Sequence, residues 1–224
     1  HFLQTDERMA ALATAGQADG IVVVAGTGAR VVWQSPHRRK FSLDALGPVL
    51  GDGGSAYYIG REALRAIARD IQLRRPTTRL RRRVMRTCGS AGLAALIRFS
   101  LQPRDRSLIA SLAKIVDDEA RAGDRLARRL LLDAATIMAG TIRELVQHLG
   151  IAGAAMPLIG SGSVAMNSNI YWRELCRQVR QFAPRLRPQR LRLPPVVGLA
   201  ALGLPDPAAR SEEHTSELQS PYVI

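Results

Sequence analysis

The sequence predicts an α/β domain whose binding site lies where its strands end. Three observations carry that expectation. The run Ile21-Val22-Val23-Val24-Ala25 passes directly into Gly26-Thr27-Gly28, as a buried strand passes into a turn. Met156-Pro157-Leu158-Ile159-Gly160 opens in the same way into Ser161-Gly162-Ser163-Val164. Between these two points lie segments with apolar residues at helical spacing, two of them long. In open α/β sheets, strands that end in glycine loops and lead into helices place ligands beyond their carboxyl ends.

Taken in order, an amphipathic helix is expected from Asp6 to about Ala15, stopping near Gly16. Gly20 introduces the strand Ile21 to Ala25, and Arg30 to Trp33 forms a second strand after the glycine turn. Residues 35–40 read as a polar loop, and the glycine-rich stretch from 47 to 54 as another. From about Ser55, Tyr58, Ala63, Ile67 and Ile71 recur at helical spacing up to a stop at Pro76. Residues 78–100 read as helical with a break at Gly89. Leu108, Leu112, Ile115, Val116 and Ala120 mark one face of a helix that ends at Gly123, and a longer helix runs from Asp124 to Gly150. After the strand at Met156–Gly160, a helix is expected from about Asn169 to Phe182, followed by a proline-rich segment.

Composition narrows the function classes. The net charge of +13 comes almost wholly from arginine, since only Lys40 and Lys114 are lysines. With so much alanine, that imbalance reads as the codon usage of a GC-rich genome. The arginine run from Arg74 to Arg86 lacks interleaved aromatics. It is therefore read as a solvated helix face rather than a nucleic-acid patch. No run of about 18 apolar residues points to a membrane span. No basic stretch followed by an apolar one marks a secretory leader, so a cytoplasmic protein is expected. Cys88 and Cys176 stand far apart, without a CxxC pair or histidines at metal spacing, and are expected to be reduced, buried thiols; no metal site is expected.

Local sequence leaves the chemistry of the glycine turns open. Gly26-Thr27-Gly28 suits a hairpin, which needs no ligand, and also suits an anion loop, in which glycines let backbone N–H groups approach a phosphate and Thr27 adds a hydroxyl. On local grounds the hairpin is favoured. Asp6 suits a helix-start carboxylate facing the dipole, and Gly162-Ser163-Val164 suits ordinary punctuation between strand and helix.

Laid side by side, however, the segments TDERMAAL, VVVAGTGAR, DALGPVLGDGGSAYYIGREAL, IASLAKIVDDEARAGDRLARRLLLDAA, MPLIGSGSVAMNS and PPVVGLAALGL resemble one family in order and spacing, from residue 2 to about 204. The resemblance is to bacterial N-acetylglucosamine kinases and BadF/BadG/BcrA/BcrD-type ATPases of the actin and hexokinase superfamily. It implies a ribonuclease H-like lobe with a mixed sheet, flanking helices and a helical insertion. It implies ATP with Mg2+ and a sugar as ligands, with no nucleic-acid or membrane partner, and a homodimer as one expected assembly. By the same resemblance Asp6 matches the catalytic base. Gly26, Thr27 and Gly28 match a phosphate loop, Gly47, Gly51 and Asp52 match the sugar-side loop, and Gly162, Ser163 and Val164 match the adenosine turn.

The sequence departs from the family pattern at Ala29, where a serine follows Gly-Thr-Gly, at Leu46, where a tryptophan stands, and at Gly53, where a glutamate stands. The implied reaction is ATP-dependent phosphorylation of N-acetylglucosamine or a related amino sugar by in-line transfer. An activator ATPase of the BadF/BadG type is the alternative within the family. A non-catalytic basic binding or regulatory protein is the alternative of another class.

The chain is expected to divide into residues 1–209, the C-terminal lobe of such a kinase truncated at its N-terminus, and a non-native tail, 210–224. Read back as codons, Arg210 to Ser220 resembles a translated sequencing adapter; an exposed acidic helix is the competing reading. Setting aside Arg210, Glu212, Glu213 and Glu217 leaves 31 basic and 16 acidic residues, a net charge of +15. A lone lobe of a kinase that closes two lobes over ATP is expected to be inactive by itself.

Overall fold

A computed structural model describes residues 11–12, 14–17, 19–35, 39–89, 92–101 and 106–191. Five strands form one mixed sheet: β1 (Gly20–Ala25), β2 (Ala29–Gln34), β3 (Lys40–Asp44), β4 (Pro157–Ser161) and β5 (Arg187–Arg190). Their order across the sheet is β3-β2-β1-β4-β5. β1 pairs antiparallel with β2 and parallel with β4, and β5 extends the parallel half. The helices are α1 (Gly47–Leu50), α2 (Ala56–Gln72), α3 (Arg79–Thr87), α4 (Leu93–Ser100), α5 (Arg106–Arg121), α6 (Arg125–His148), α7 (Ser163–Asn167) and α8 (Asn169–Phe182).

β1 sits at the centre because its residues are apolar on both sides. Ile21 and Val23 join the large core with Val31, Leu158 and the helices, while Val22 joins a second cluster with Ala11, Leu12, Ile159 and Leu191. A strand buried on both faces reads as an unbroken apolar run, which is why β1 is plain in the sequence. The helix expected to end near Gly16 does so: the Ala15 N–H donates to the Ala11 carbonyl at 3.1 Å, and Gly16 takes φ 66°. Its start at Asp6, the proline-rich closing segment and the tail from Arg210 lie outside the described residues.

The long helices begin on side-chain caps. The Ser55 hydroxyl accepts the Tyr58 N–H at 3.0 Å, and the Asp124 carboxylate accepts the Ala127 N–H at 2.9 Å. α2 packs along α5 and α6 along α8. Within the α2–α5 contact the approach is backbone to backbone, since a Cβ on Gly60 would lie 1.9 Å from the Ile109 carbonyl oxygen.

Three features depart from the expectation. β3, within Lys-Phe-Ser-Leu-Asp, and β5, within Arg-Pro-Gln-Arg, are edge strands exposed along one side, so neither carries an apolar run. Pro188 is tolerated in β5 because an edge strand leaves one side of its backbone unpaired. The stretch read as a glycine loop contains the short helix α1, with Pro48 in its first turn. On α5, Leu108 faces solvent and Ile109 is buried, because α2 crosses the helix at Ile109.

Gly60→Ala should destabilise the chain despite the better helix propensity of alanine. The backbones would have to part, at a net cost of about 1–3 kcal/mol. Urea unfolding at equilibrium measures the difference.

Candidate functional site

The first glycine turn is a hairpin by geometry. Ala25 and Ala29 pair across it, and the Gly26 N–H donates to the Gly28 carbonyl at 3.0 Å. The carbonyls of Gly26 and Thr27 in turn accept the N–H groups of Ala56 and Tyr57, at 2.8 and 3.3 Å, which seats the start of α2 on the hairpin. The second glycine turn follows β4, the strand beside β1. Gly162 takes φ 85°, and a Cβ there would lie 2.5 Å from the Ala25 carbonyl carbon and 2.7 Å from the Gly26 nitrogen. The two turns therefore touch, side by side, at the carboxyl ends of adjacent parallel strands. That is where open α/β sheets bind ligands.

The loop from Asp44 to Gly54 joins the same surface through carboxylates. The Asp44 Oδ1 accepts the Asp52 N–H at 2.6 Å, and a Cβ on Gly51 would lie 2.1 Å from that oxygen. The Asp52 Oδ1 accepts the Ala29 N–H at 2.9 Å and would lie 2.7 Å from a Cβ on Gly28. Its Oδ2 pairs with the Arg106 guanidinium at the start of α5. Asp52 is only 4% exposed, so its charge needs these partners. Asp44, Ala45 and Asp52 all hold left-handed backbone, with φ between 61° and 68°, beside Gly47 at 77°. Such strain is stored where surrounding contacts over-determine the loop. Around it, Leu46, Val49 and Leu50 stand exposed. A side chain at Gly53 would meet Ile137, with its Cβ 2.6 Å from the Ile137 Cγ2.

Next to the second turn is a cavity of about 280 Å³ between α2, α5, α6 and α7. Ala56, Ile59, Ala110, Ala113, Leu131 and Val164 make its apolar wall. Ser111, Lys114, Asp117, Arg121, Ser163 and Asn167 supply its polar groups. Asp117, itself buried, accepts the Ser168 hydroxyl at 2.6 Å and pairs with Arg121 at 2.6 Å. Ser168 caps α8 by accepting the Tyr171 N–H at 3.3 Å, so Asp117 ties α5 to the segment that follows the turn.

Behind the cavity, Glu119 is buried between Arg79 and Arg83, at 3.1 and 2.8 Å. Burial pushes the neighbouring Asp118 carboxyl up, but hydrogen bonds from Arg83 and Lys114 outweigh it and hold the group below its ordinary range. Two arginines of the Arg74–Arg86 run thus neutralise a buried carboxylate from the surface, Arg79 staying exposed and Arg83 half-buried. Burial pushes the thiols of Cys88 and Cys176 up to about 11, which leaves both unreactive at neutral pH. Cys176 is buried as expected, while Cys88 is half-buried. Among the described residues no three His, Cys, Asp or Glu side chains converge as metal ligands, and no helix is long and apolar enough to cross a membrane.

Gly26, Thr27, Gly28, Gly47, Gly51, Asp52, Gly162, Ser163 and Val164 fall along one end of the sheet; Asp6 lies outside the described residues. Ser111, Lys114, Asp117, Arg121 and Arg106 were not singled out by the sequence. The signal available for Asp117 and Glu119 was that they interrupt the apolar stripe of α5 made by Ile109, Leu112, Ala113, Val116 and Ala120.

A mixed sheet of this order flanked by helices, with a glycine hairpin between its first two strands and a glycine turn after the fourth, has the actin–hexokinase type of fold. A crystal structure from Chromobacterium violaceum, described as a putative N-acetylglucosamine kinase, has the same fold, with a TM-score of 0.67 and 22% identity over 88% of this chain and 64% of that one. The chain belongs to the BadF/BadG/BcrA/BcrD ATPase family, whose pattern matches residues 3–181. It is 25% identical over 194 residues to an N-acetyl-D-glucosamine kinase of Dictyostelium discoideum, covering 85% of this chain and 61% of the relative. It is also 25% identical over 170 residues to an N-acetylmuramic acid/N-acetylglucosamine kinase of Clostridium acetobutylicum, covering 75% and 56%. The chain thus spans about three fifths of the length of these relatives.

Among the described residues, the Arg30 Nε and the Tyr171 hydroxyl are buried without a hydrogen-bond partner. The Tyr171 hydroxyl is enclosed beneath Gly54, 3.3 Å from where a Cβ would stand. Tyr171→Phe should therefore leave stability unchanged or raise it by about 1 kcal/mol, since no bond is lost and a desolvated hydroxyl is removed. Thermal unfolding checks this.

Proposed function

We propose that the chain is the nucleotide- and sugar-facing lobe of a kinase that transfers the γ-phosphate of ATP to N-acetylglucosamine or a related amino sugar. The observation that carries this reading is the contact between the two glycine turns beside the cavity. The relatives named above support the choice of acceptor.

The site suits ATP on its own geometry. The cavity offers apolar walls for a base and polar groups for a ribose, and Ser163 and Val164 at its edge join it to Gly162, which lies directly against the hairpin. In this reading the backbone of Gly26, Thr27 and Gly28 faces the phosphates, and Gly162, Ser163 and Val164 line the passage from nucleoside to phosphate. Gly47, Gly51 and Asp52 face the sugar. Asp6 accepts the proton of the attacking hydroxyl as the phosphoryl group arrives. Mg2+ fits as an ion carried on the nucleotide phosphates, where it would neutralise developing charge.

Two measurements test the proposal. Ser111 stands exposed at the cavity, so Ser111→Trp should fill it with little effect on folding and weaken Mg-ATP binding tenfold or more. Unchanged affinity in calorimetry would move the nucleoside elsewhere. In the complete kinase that carries this lobe, Asp6→Asn should lower phosphate transfer to N-acetylglucosamine by about 10²-fold or more, with ATP affinity kept. Equal rates in a radiolabelled-ATP assay would remove Asp6 from the chemistry.

A further inference from the structure

We infer that Arg106 is a movable counter-ion that couples the sugar side of this site to its phosphate side; the inference rests on the sugar-kinase reading above. Asp52 is the hinge of the argument. Its Oδ1 is fixed by the Ala29 N–H, a backbone donor that cannot turn away. Its Oδ2 is covered by the Arg106 guanidinium, and the carboxylate side chain is left only 6% exposed. A hydroxyl that reaches Asp52 must therefore take the place of that guanidinium.

Arg106 is built to yield. It is the first residue of α5, its side chain is 49% exposed, and its other partner among the described residues is the face of Tyr57, 5.8 Å from the ring centre. The buried Glu119 is held quite differently, by two arginines at once. Once displaced, the Arg106 guanidinium remains tethered a carboxylate's width from the glycine hairpin, because the Asp52 Oδ1 already abuts Gly28. A guanidinium deprived of its carboxylate beside a bound nucleotide pairs next with a phosphate, which it can hold through two parallel N–H bonds. Sugar binding thereby delivers a positive charge to the hairpin, and nucleotide binding draws the guanidinium off Asp52. The coupling is reciprocal by thermodynamic necessity.

The test uses the 224-residue chain, its Arg106→Gln and Arg106→Lys variants, and calorimetry with N-acetylglucosamine and the non-hydrolysable ATP analogue adenylyl imidodiphosphate with Mg2+. In the unaltered chain, saturating sugar should tighten the analogue by about 5- to 150-fold. The same factor should appear in the sugar affinity when the analogue is saturating. Arg106→Gln should bind sugar at least as tightly and bring the coupling factor close to one, while Arg106→Lys keeps a reduced factor. An unaltered coupling factor in Arg106→Gln, or an absence of coupling in the unaltered chain, overturns the inference and leaves the kinase reading standing. If Arg106→Gln does not fold, the factor measured in Arg106→Lys decides, an undiminished value counting against the inference. Failure of both ligands to bind the unaltered chain overturns the kinase reading and the inference with it.

Discussion

The site depends on one place where backbone meets backbone with no room between. Gly162, at the end of β4, lies against Ala25 and Gly26 at the end of β1 so closely that a single added carbon would stand 2.5 Å from the main chain. The parallel register that pairs Val24 with Ser161 brings the two turns level. The carbonyls of the hairpin then seat the first turn of α2. Strand pairing, turn geometry and helix docking thus meet on a few backbone atoms. Side chains have little say there, which is why glycine stands at both turns.

Around that contact the fold is closed by buried carboxylates. Asp52 joins the loop after β3 to β2 and to the start of α5. Asp117 joins the middle of α5 to the cap of α8, and Glu119 joins its far end to α3. Each would be costly to bury alone, so each demands the partner it has. The result is that α5 is anchored along its whole length. One end is tied to the hairpin side and the middle to the cavity. The helical insertion is therefore a wall of the site rather than an appendage to it. Strain in the backbone at Asp44, Ala45 and Asp52 is held by the same bonds, on the same side of the sheet.

What could be read in advance follows from where each residue's information lies. β1 and β4 are apolar runs ending in glycine, and α2, α6 and α8 carry both an apolar stripe and a capping residue, so their boundaries are local facts. The edge strands were hidden because an edge half in water has no pattern of its own; β3 exists because β2 offers it a free side. On α5, Leu108 and Ile109 were equivalent until α2 crossed at Ile109. The order and spacing of the glycine motifs pointed to the actin–hexokinase type of fold, since each turn needs its own residues whatever packs around it.

The sequence by itself therefore determined the central strands β1 and β4, the capped helices and the family, because caps, periodicity and glycine turns act over a few residues. Only the tertiary structure decided which polar groups share the site. Arg106 is 54 residues from Asp52, and Asp117 is 51 from Ser168. Polar contacts of that separation leave no local pattern. They form because the sheet and the helical insertion bring their ends to one place, and because a buried carboxylate must find a donor there.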